Sequence, residues 1–406
     1  MKTKNWFIFV IIYLLIDYIR PQDQITILKY FKPGLLLTVI LILFILLNIM
    51  KIKNLNNKQL LLTGMFIFLL LILVPFAKNH RYAFNTFVSM IQIIPFFISC
   101  VICVNSVERL KKFMLWIVIF MVFQAIHAIS HSGTGSSGIF RDENDVSLYV
   151  NTWLPFCYVF MILEKNIIKK LLFGLFIIIG IGANIASFSR GGFLGLLAMI
   201  IVICIASRKK LASLIGVGGM IVIMILFANE IYWNEMRTAT NTDDGTGRVR
   251  IESWKSGYAM FLDNPLGVGG NNFQVRFEEY QTQWFKRGMY GRVSHSLWFT
   301  LLPELGVLGV MIYLLIIKCN TGDLIKIKDI SKKLSSEKSI LLSYMVTAFF
   351  ASLAGFLVSA TFLSVLYYSH YWYLTALIAA TAKISRECLE IEKRATNQNV
   401  ETLIPD

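Results

Sequence analysis

Apolar runs that are about as long as a bilayer is thick follow one another along most of this sequence. They predict helices near residues 6–19, 34–50, 58–77, 84–104, 113–130, 147–163, 167–186, 191–207, 211–229 and 296–317. A last apolar stretch, 340–382, would be roughly 65 Å long as one helix, so two helices with a turn near Ser359–Ser364 are predicted. The sequence therefore predicts an all-α polytopic membrane protein of about 12 transmembrane helices.

The composition excludes a soluble globular domain, because 56% of the residues are hydrophobic and only 16% are charged. The net charge of +15 could suggest nucleic acid, but the basic residues lie in short clusters between apolar runs, such as Arg208–Lys210 and Lys318–Lys338. This is the pattern of the positive-inside rule with a cytoplasmic amino terminus. We therefore expect membrane lipids, and no nucleic acid, as partners.

The longest connection between apolar runs is expected on the outer, periplasmic side. Within it, Ile251, Trp254 and Tyr258 recur at helical spacing, and Asp263-Asn264-Pro265 ends that helix. Such an amphipathic helix is expected to lie on the membrane surface. The predicted organisation is nine transmembrane helices in 1–229, a periplasmic loop with amphipathic helices in 230–295, three transmembrane helices in 296–382 and a cytoplasmic tail in 383–406.

Arg190 lies in the short segment Ser189-Arg190-Gly191-Gly192, between two apolar runs that leave little room for a loop. A cation at or just below the membrane surface is costly unless it is paired or used. One interpretation is an interfacial arginine that reaches toward water. The other is an anion clamp, since a guanidinium can bind phosphate through two parallel hydrogen bonds.

Three more arginines, Arg248, Arg250 and Arg292, flank the helical part of the periplasmic loop. They are further candidates for phosphate binding. The alternative is solvated charge, because 230–295 holds eight basic and eight acidic residues. The aromatic residues of this loop, Trp254 and Trp284 among them, could stack on sugar rings or anchor the loop at the interface.

His295 comes just before the apolar run that begins at Leu297. The positive end of a helix dipole favours a neutral imidazole, which is the form that a general base requires. The alternative is a structural interfacial histidine. Glu304 lies inside the same run, where an ionisable group needs a partner, so an arginine partner and a positioning role are expected.

Neither a metal nor a cofactor is predicted. The five histidines are scattered along the sequence, and Asp243-Asp244 lacks nearby imidazoles.

Several motifs together resemble one family. One segment resembles the histidine motif of the O-antigen ligases: His295-Ser296 is followed by nine residues, Gly306, two residues and Gly309. The segment from Ser187 to Gly195 resembles the S-R-G segment of the wider O-antigen ligase and polymerase superfamily. The stretch from Trp254 to Gly269 resembles its W-to-N-P-x-G-x-G stretch, and Phe140–Asp145 resembles another superfamily segment, so the likeness extends over about residues 140–315.

This resemblance implies a GT-C-like fold at the bacterial inner membrane, with an active site that faces the periplasm. It implies transfer of a glycan from undecaprenyl diphosphate to an acceptor hydroxyl, of a lipid A core or another glycan, with inversion at the anomeric carbon. His295 would be the base and Arg190 a ligand of the donor diphosphate. Since both Arg248 and Arg250 precede Trp254, the resemblance leaves open which of them faces the phosphates.

Related activities use the same apparatus. Polymerisation of repeat units is the main alternative to ligation. A protein O-oligosaccharyltransferase is less favoured, because only 24 residues follow Ala382, where such enzymes usually carry an added region. A polysaccharide transporter is also less favoured, because no half-repeat is detectable.

Overall fold

The computed structural model describes residues 3–49, 56–136, 138–140, 142–206, 245–334 and 337–401, with isolated positions between 218 and 233. Within these ranges the regular structure is helical, without strands. Seven of the described helices are long and apolar enough to cross a membrane, and three shorter apolar ones accompany them. The chain is a multi-pass membrane protein. The predicted helix at 211–229 lies outside the described residues, so the total number of spans stays a prediction.

The helices are numbered in chain order. Those of the first half are α1 (Thr3–Tyr18), α2 (Pro21–Gln24), α3 (Thr26–Tyr30), α4 (Pro33–Leu47), α5 (Lys58–Leu73), α6 (His80–Ile91), α7 (Ile93–Cys103), α8 (Val107–Ser130), α9 (Glu143–Leu163) and α10 (Ile167–Ala186). The remaining ones are α11 (Arg190–Ala206), α12 (Gly245–Asp263), α13 (Phe273–Tyr280), α14 (Leu297–Ser331), α15 (Glu337–Ala360) and α16 (Ser369–Glu401). Short 3₁₀ turns occur at Val74–Phe76 and Gly138–Phe140.

The centre of the bundle is the first half of α16. It packs against α14, α7, α5 and α15. Tyr371, Trp372 and Tyr373 are almost completely buried, and the small and aliphatic residues that follow them to Ile384 are largely buried as well. A helix that is apolar on all sides is typical of the core of a large protein or of a membrane span.

The helix predicted near 84–104 is part of one apolar segment, His80–Cys103, that is long enough to cross a membrane. It is interrupted only at Gln92, between α6 and α7, because the ring of Pro95 clashes with the carbonyl four residues earlier and supplies no N–H. Two predicted boundaries need correction. The helix predicted at 296–317 continues to Ser331, since no proline interrupts its charged end and pairs such as Asp329–Lys332, 2.9 Å apart, suit a helix. The predicted tail from 383 onward continues α16 as helix to Glu401. The predicted break in 340–382 is confirmed between α15 and α16.

Small residues let α11 approach its neighbours closely. A Cβ on Gly195 would lie 1.9 Å from the Oγ of Ser359 in α15, so only glycine fits there. Asn151 of α9 donates to the carbonyl of Gly192 at 2.7 Å and to Ser359 at 3.2 Å. Small residues and interhelical amide hydrogen bonds stabilise helix pairs within membranes. The start of α11 is therefore fixed against α9 and α15.

The helix α14 is interrupted at Gly306, whose φ of 61° and ψ of −162° are accessible almost only to glycine. The backbone groups released by the break pair with the loop that follows α12. Val307 N–H donates to Pro265 O at 3.0 Å, and the carbonyls of Pro303 and Glu304 accept from Val268 and Gly269 at 2.9 Å each. The N-P-x-G-x-G stretch and Gly306 thus form one backbone junction.

Replacement of Gly306 by alanine should break this junction. A Cβ there would lie 2.3 Å from Pro265 O, in a strained backbone conformation. We expect a loss of stability of about 1–3 kcal/mol from the conformation alone, with the clash in addition. Thermal unfolding in detergent measures the effect. The control is Gly322→Ala in the same helix, where a Cβ meets nothing within 4 Å. That change should be neutral or stabilising by up to about 1 kcal/mol, and equal behaviour of the two variants would contradict the junction.

Candidate active site

Two helix amino termini in this protein are built in the same way. Phe188 and His295 both have a φ of 48°, in the left-handed region that few non-glycine residues adopt. A serine follows each of them and caps the helix. Ser189 Oγ accepts from Gly192 N–H at 2.9 Å, and Ser296 Oγ accepts from Phe299 N–H at 3.4 Å. Arg190 is the first residue of α11, and His295 directly precedes the cap of α14.

Electrostatic interactions connect these two helix starts through Arg250 of α12. The pKa of Arg250 is lowered by burial and then by the positive charge of Arg190. The pKa of His295 is lowered from 6.5 by burial first, and then by the charges of Arg250 and Arg292, while Asp142 opposes the shift. The structure therefore brings Arg190, Arg250, Arg292 and His295 into one cluster, in which Asp142 is the acidic neighbour that acts on the histidine among the described residues. We call it the His295 cluster.

The two arginines that precede Trp254 have different surroundings. Arg250 is half-buried and interacts with Arg190 and His295. Arg248 is exposed, and its guanidinium lies 5.9 Å from the centre of the Trp284 ring. The geometry therefore assigns Arg250 to the His295 cluster and Arg248 to the neighbouring surface. Arg292 of the same cluster has local partners: its Nε donates to Ser253 Oγ at 3.1 Å, and its guanidinium lies 5.2 Å from the centre of the Phe285 ring.

Trp254 holds the backbone that leads to His295. Its indole N–H donates to Ser294 O at 3.0 Å, and its ring stacks on Phe299 with 5.1 Å between ring centres. The hydroxyl of Ser294 bonds Thr300 at 2.7 Å and Ser296 O at 2.8 Å. Since both its N–H and its ring face are used within the protein, Trp254 acts as a clamp on the loop before α14.

The start of α11 is tied to the segment before α9. Ser189 Oγ donates to Asn144 Oδ1 at 2.6 Å, and Asp142 Oδ1 caps α9 by accepting from Asn144 N–H at 2.8 Å. The motif that resembled the superfamily at Phe140–Asp145 therefore lies beside the S-R-G turn. Arg141 lies outside the described residues.

Glu304 corrects a prediction, because the partner expected for it was an arginine. Its carboxylate accepts instead from the N–H groups of Asn271 at 2.8 Å and Phe273 at 3.0 Å, and from the hydroxyl of Tyr367 at 2.5 Å. The side chain is 2% exposed. Backbone N–H groups satisfy a buried carboxylate as a cation does, so Glu304 fixes the loop after α12 against the break in α14. This arrangement supports the expected positioning role.

Asp142 and the polar contacts of the loops were missed as site residues by the sequence reasoning. Asp142 lies in a segment that the resemblance pointed to, but only the fold brings its charge to His295. Ser253, Ser294 and Tyr367 carry no pattern that distinguishes them from other polar loop residues. Within the described residues no group of three or more His, Cys, Asp or Glu could hold a metal ion. Asp243 and Asp244 lie outside that part of the chain.

The family comparison covers this same part of the molecule. Residues 174–314 match the family model described as O-Antigen ligase. This segment is similar to the O-antigen ligases. It contains all four arginines of the prediction, His295 and Glu304, and the match supports a membrane glycosyltransferase that acts on lipid-linked glycans. No curated protein matches the chain. Within the matched residues the histidine motif has two parts: His295-Ser296 immediately precedes α14, and Gly306 permits its break.

The electrostatic surroundings of His295 predict the pH dependence of any reaction in which it acts as a base. A base must be neutral, and the pKa of this imidazole lies below its ordinary value. The acid limb of the kcat/KM profile should therefore lie below pH 6.5. Arg250→Gln removes a positive neighbour, raises the pKa of His295 and should move the limb to higher pH. Asp142→Asn removes the negative neighbour and should move it to lower pH, while the amide oxygen can still cap α9.

In each variant, the pH at the midpoint of the acid limb is determined separately from the maximal rate. This is necessary because Arg250→Gln is also expected to lower the rate. Shifts of opposite sign would support the titration of His295. Identical limbs in all three proteins would assign the acid limb to another group.

Proposed function

We propose that this protein transfers a glycan from undecaprenyl diphosphate to an acceptor hydroxyl at the periplasmic face of the bacterial inner membrane, as an O-antigen ligase does. The observation that carries the proposal is the His295 cluster. In it, the charges of Arg250 and Arg292 act on a histidine with a lowered pKa, and Arg190 at the start of α11 acts on Arg250. All four residues lie in the segment that matches the O-antigen ligase family. The family match supports membrane glycosyltransferase activity. The undecaprenyl diphosphate donor, the bacterial inner membrane and the periplasmic face are part of the proposal.

The chemistry divides between the base and the arginines. The acceptor oxygen attacks the anomeric carbon from the side opposite the diphosphate and gives its proton to His295. The bond between that carbon and the diphosphate oxygen breaks, and negative charge grows on the leaving group. Arg190 and Arg250 lie where they can bind that charge, and the positive ends of α11 and α14 add to the attraction. Fixed charges at the place where charge develops are the largest source of rate enhancement in many enzymes.

In the proposed reaction, arginine side chains supply the positive charge that stabilises the diphosphate, so no divalent ion is required. The arginines can bind a diphosphate through bidentate hydrogen bonds, which a lysine cannot reproduce. Transfer by purified protein should therefore continue in excess chelator. Loss of transfer with rescue by Mg²⁺ would assign a catalytic role to a metal and would direct attention to Asp243 and Asp244.

The test of the function is the product formed from a lipid-linked glycan in the strain of origin and in its deletion mutant. Ligation predicts that the deletion leaves long polymer on the lipid carrier and removes it from the acceptor. Accumulation of single repeat units would indicate a polymerase, and unmodified protein with normal polysaccharide would indicate protein glycosylation. Unchanged glycans in all three fractions would contradict the proposed class of reaction.

A further inference from the structure

A cavity of about 810 Å³ lies beside α12, next to the His295 cluster but separate from its arginine pair. Its lining includes Trp284, Phe285, Lys286, Arg287 and Arg292. Arg292 belongs to both regions, because its charge lowers the pKa of His295. The volume is within the range of cavities that bind small organic ligands. Arg292 is therefore the residue through which the cavity adjoins the His295 cluster.

The lining combines cations with aromatic rings. Lys286, Arg287 and Trp284 are exposed, whereas Phe285 is buried. Arg248 covers part of the Trp284 ring at 5.9 Å from its centre, which is a cation–π contact. Aromatic rings stack on the apolar faces of sugars, and guanidinium groups bind carboxylate and phosphate. The lining therefore suits a glycan with acidic substituents.

Two acids near this cavity are paired with other groups. Glu252 accepts from Lys255 Nζ at 2.8 Å and from Thr282 Oγ1 at 2.7 Å. Glu279 forms a salt bridge with Lys78 of the segment before α6. A third, Glu278, lies against Gly288, which is outside the cavity lining. All charged residues in the lining itself are positive. A locally positive cavity attracts anionic ligands.

We propose that this cavity binds the acceptor, and that the acceptor is an acidic glycan whose carboxylate or phosphate groups contact Arg287 and Lys286 while a sugar ring stacks on Trp284. This inference rests on the proposed function. The donor diphosphate occupies Arg190 and Arg250, and the acceptor hydroxyl arrives at His295 from the cavity past Arg292. The cations of the cavity then select acceptors by charge without contact with the reacting carbon.

The experiment measures binding of two matched probes to the full-length protein in nanodiscs by calorimetry. The probes are a tetrasaccharide of galacturonic acid and its fully methyl-esterified form, which has the same length and no charge. The acidic probe should bind at least about tenfold more tightly than the neutral one, because charge-assisted hydrogen bonds are the stronger ones. Arg287→Gln and Lys286→Gln should each reduce this preference severalfold. Both side chains are exposed, so the fold should tolerate the changes.

Lys255→Gln is the matched control. It removes the same charge from the same loop, but its ammonium pairs with Glu252, and it lies outside the cavity lining. The Lys255→Gln variant should prefer the acidic probe as strongly as the unchanged protein does. Equal affinity for both probes, or equal losses in Arg287→Gln and Lys255→Gln, would overturn the acceptor site. The binding experiment needs neither a lipid-linked donor nor turnover. A negative result therefore contradicts the acceptor site without contradicting the proposed transfer. The proposed transfer is tested separately, by donor binding and by the transferred product.

Discussion

His295→Ala is expected to lower the rate of glycan transfer by about 10²- to 10⁴-fold, which is the usual contribution of a general base. Binding of the lipid-linked donor should be unchanged, because in the proposed mechanism the imidazole acts on the acceptor proton and the arginines bind the diphosphate. The measurement combines donor binding with single-turnover transfer on purified protein. A fall in transfer at constant donor affinity is the pattern of a group that acts only in the transition state.

His131→Ala is the control for this prediction. His131 is exposed at the end of α8, and its Nδ1 has local contacts with Ser130 and with the carbonyl of His127. Its removal should leave transfer and donor binding unchanged. Near-normal single-turnover transfer by His295→Ala would show that another group removes the acceptor proton, and the proposed mechanism would fail at its central step.

Arg190→Ala is expected to lose both donor binding and transfer. In the proposed mechanism its guanidinium contacts the diphosphate before the reaction and more strongly as charge develops on the leaving group. Arg190→Lys should restore only part of the binding, since a lysine keeps the charge without the planar fork. A loss of about 2–5 kcal/mol in transition-state stabilisation, or roughly 30- to 5,000-fold in kcat/KM, is expected for the alanine variant.

Two other arginines calibrate the effect of Arg190. Arg250→Ala should resemble Arg190→Ala, because the two guanidinium groups act on each other in the His295 cluster. Arg81→Ala, an exposed cation in the first turn of α6, should leave donor binding unchanged. If Arg190→Lys binds the donor as tightly as the unchanged protein, the bidentate contact is wrong. If Arg190→Ala retains donor binding, the diphosphate lies elsewhere.

Much of the helical architecture could be predicted from the apolar pattern. The runs that begin near Lys58, Ile167 and Leu297 are helices in the structure, because backbone groups in a bilayer must be satisfied within the segment. The wrong boundaries lie where apolarity gives no signal. The helix α14 continues past its apolar part because helical backbone can extend into water when its side chains are charged.

Motif spacing alone could not show that several motif residues hold the backbone together and do not take part in chemistry. Gly306 and Gly267 belong to the resemblance, but they serve a junction between two backbones, where a Cβ on Gly267 would lie 2.6 Å from Glu304 O. Trp254 holds the loop that positions His295. These contacts join residues that are far apart in the sequence. A single sequence shows that a glycine or tryptophan is present, and the structure shows what it touches.

The sequence by itself determined that the chain is a helical membrane protein and that His295 and Arg190 are its sharpest candidates for chemistry, since hydrophobic periods and motif spacings are local properties. Tertiary structure decided which charges meet. It brought Arg250 to Arg190 and His295, turned Arg248 toward Trp284, gave Glu304 backbone N–H partners in place of an arginine, and paired Glu252 and Glu279 away from the cavity. Electrostatic energy depends on distance and burial, and both are set by how α11, α12 and α14 pack together.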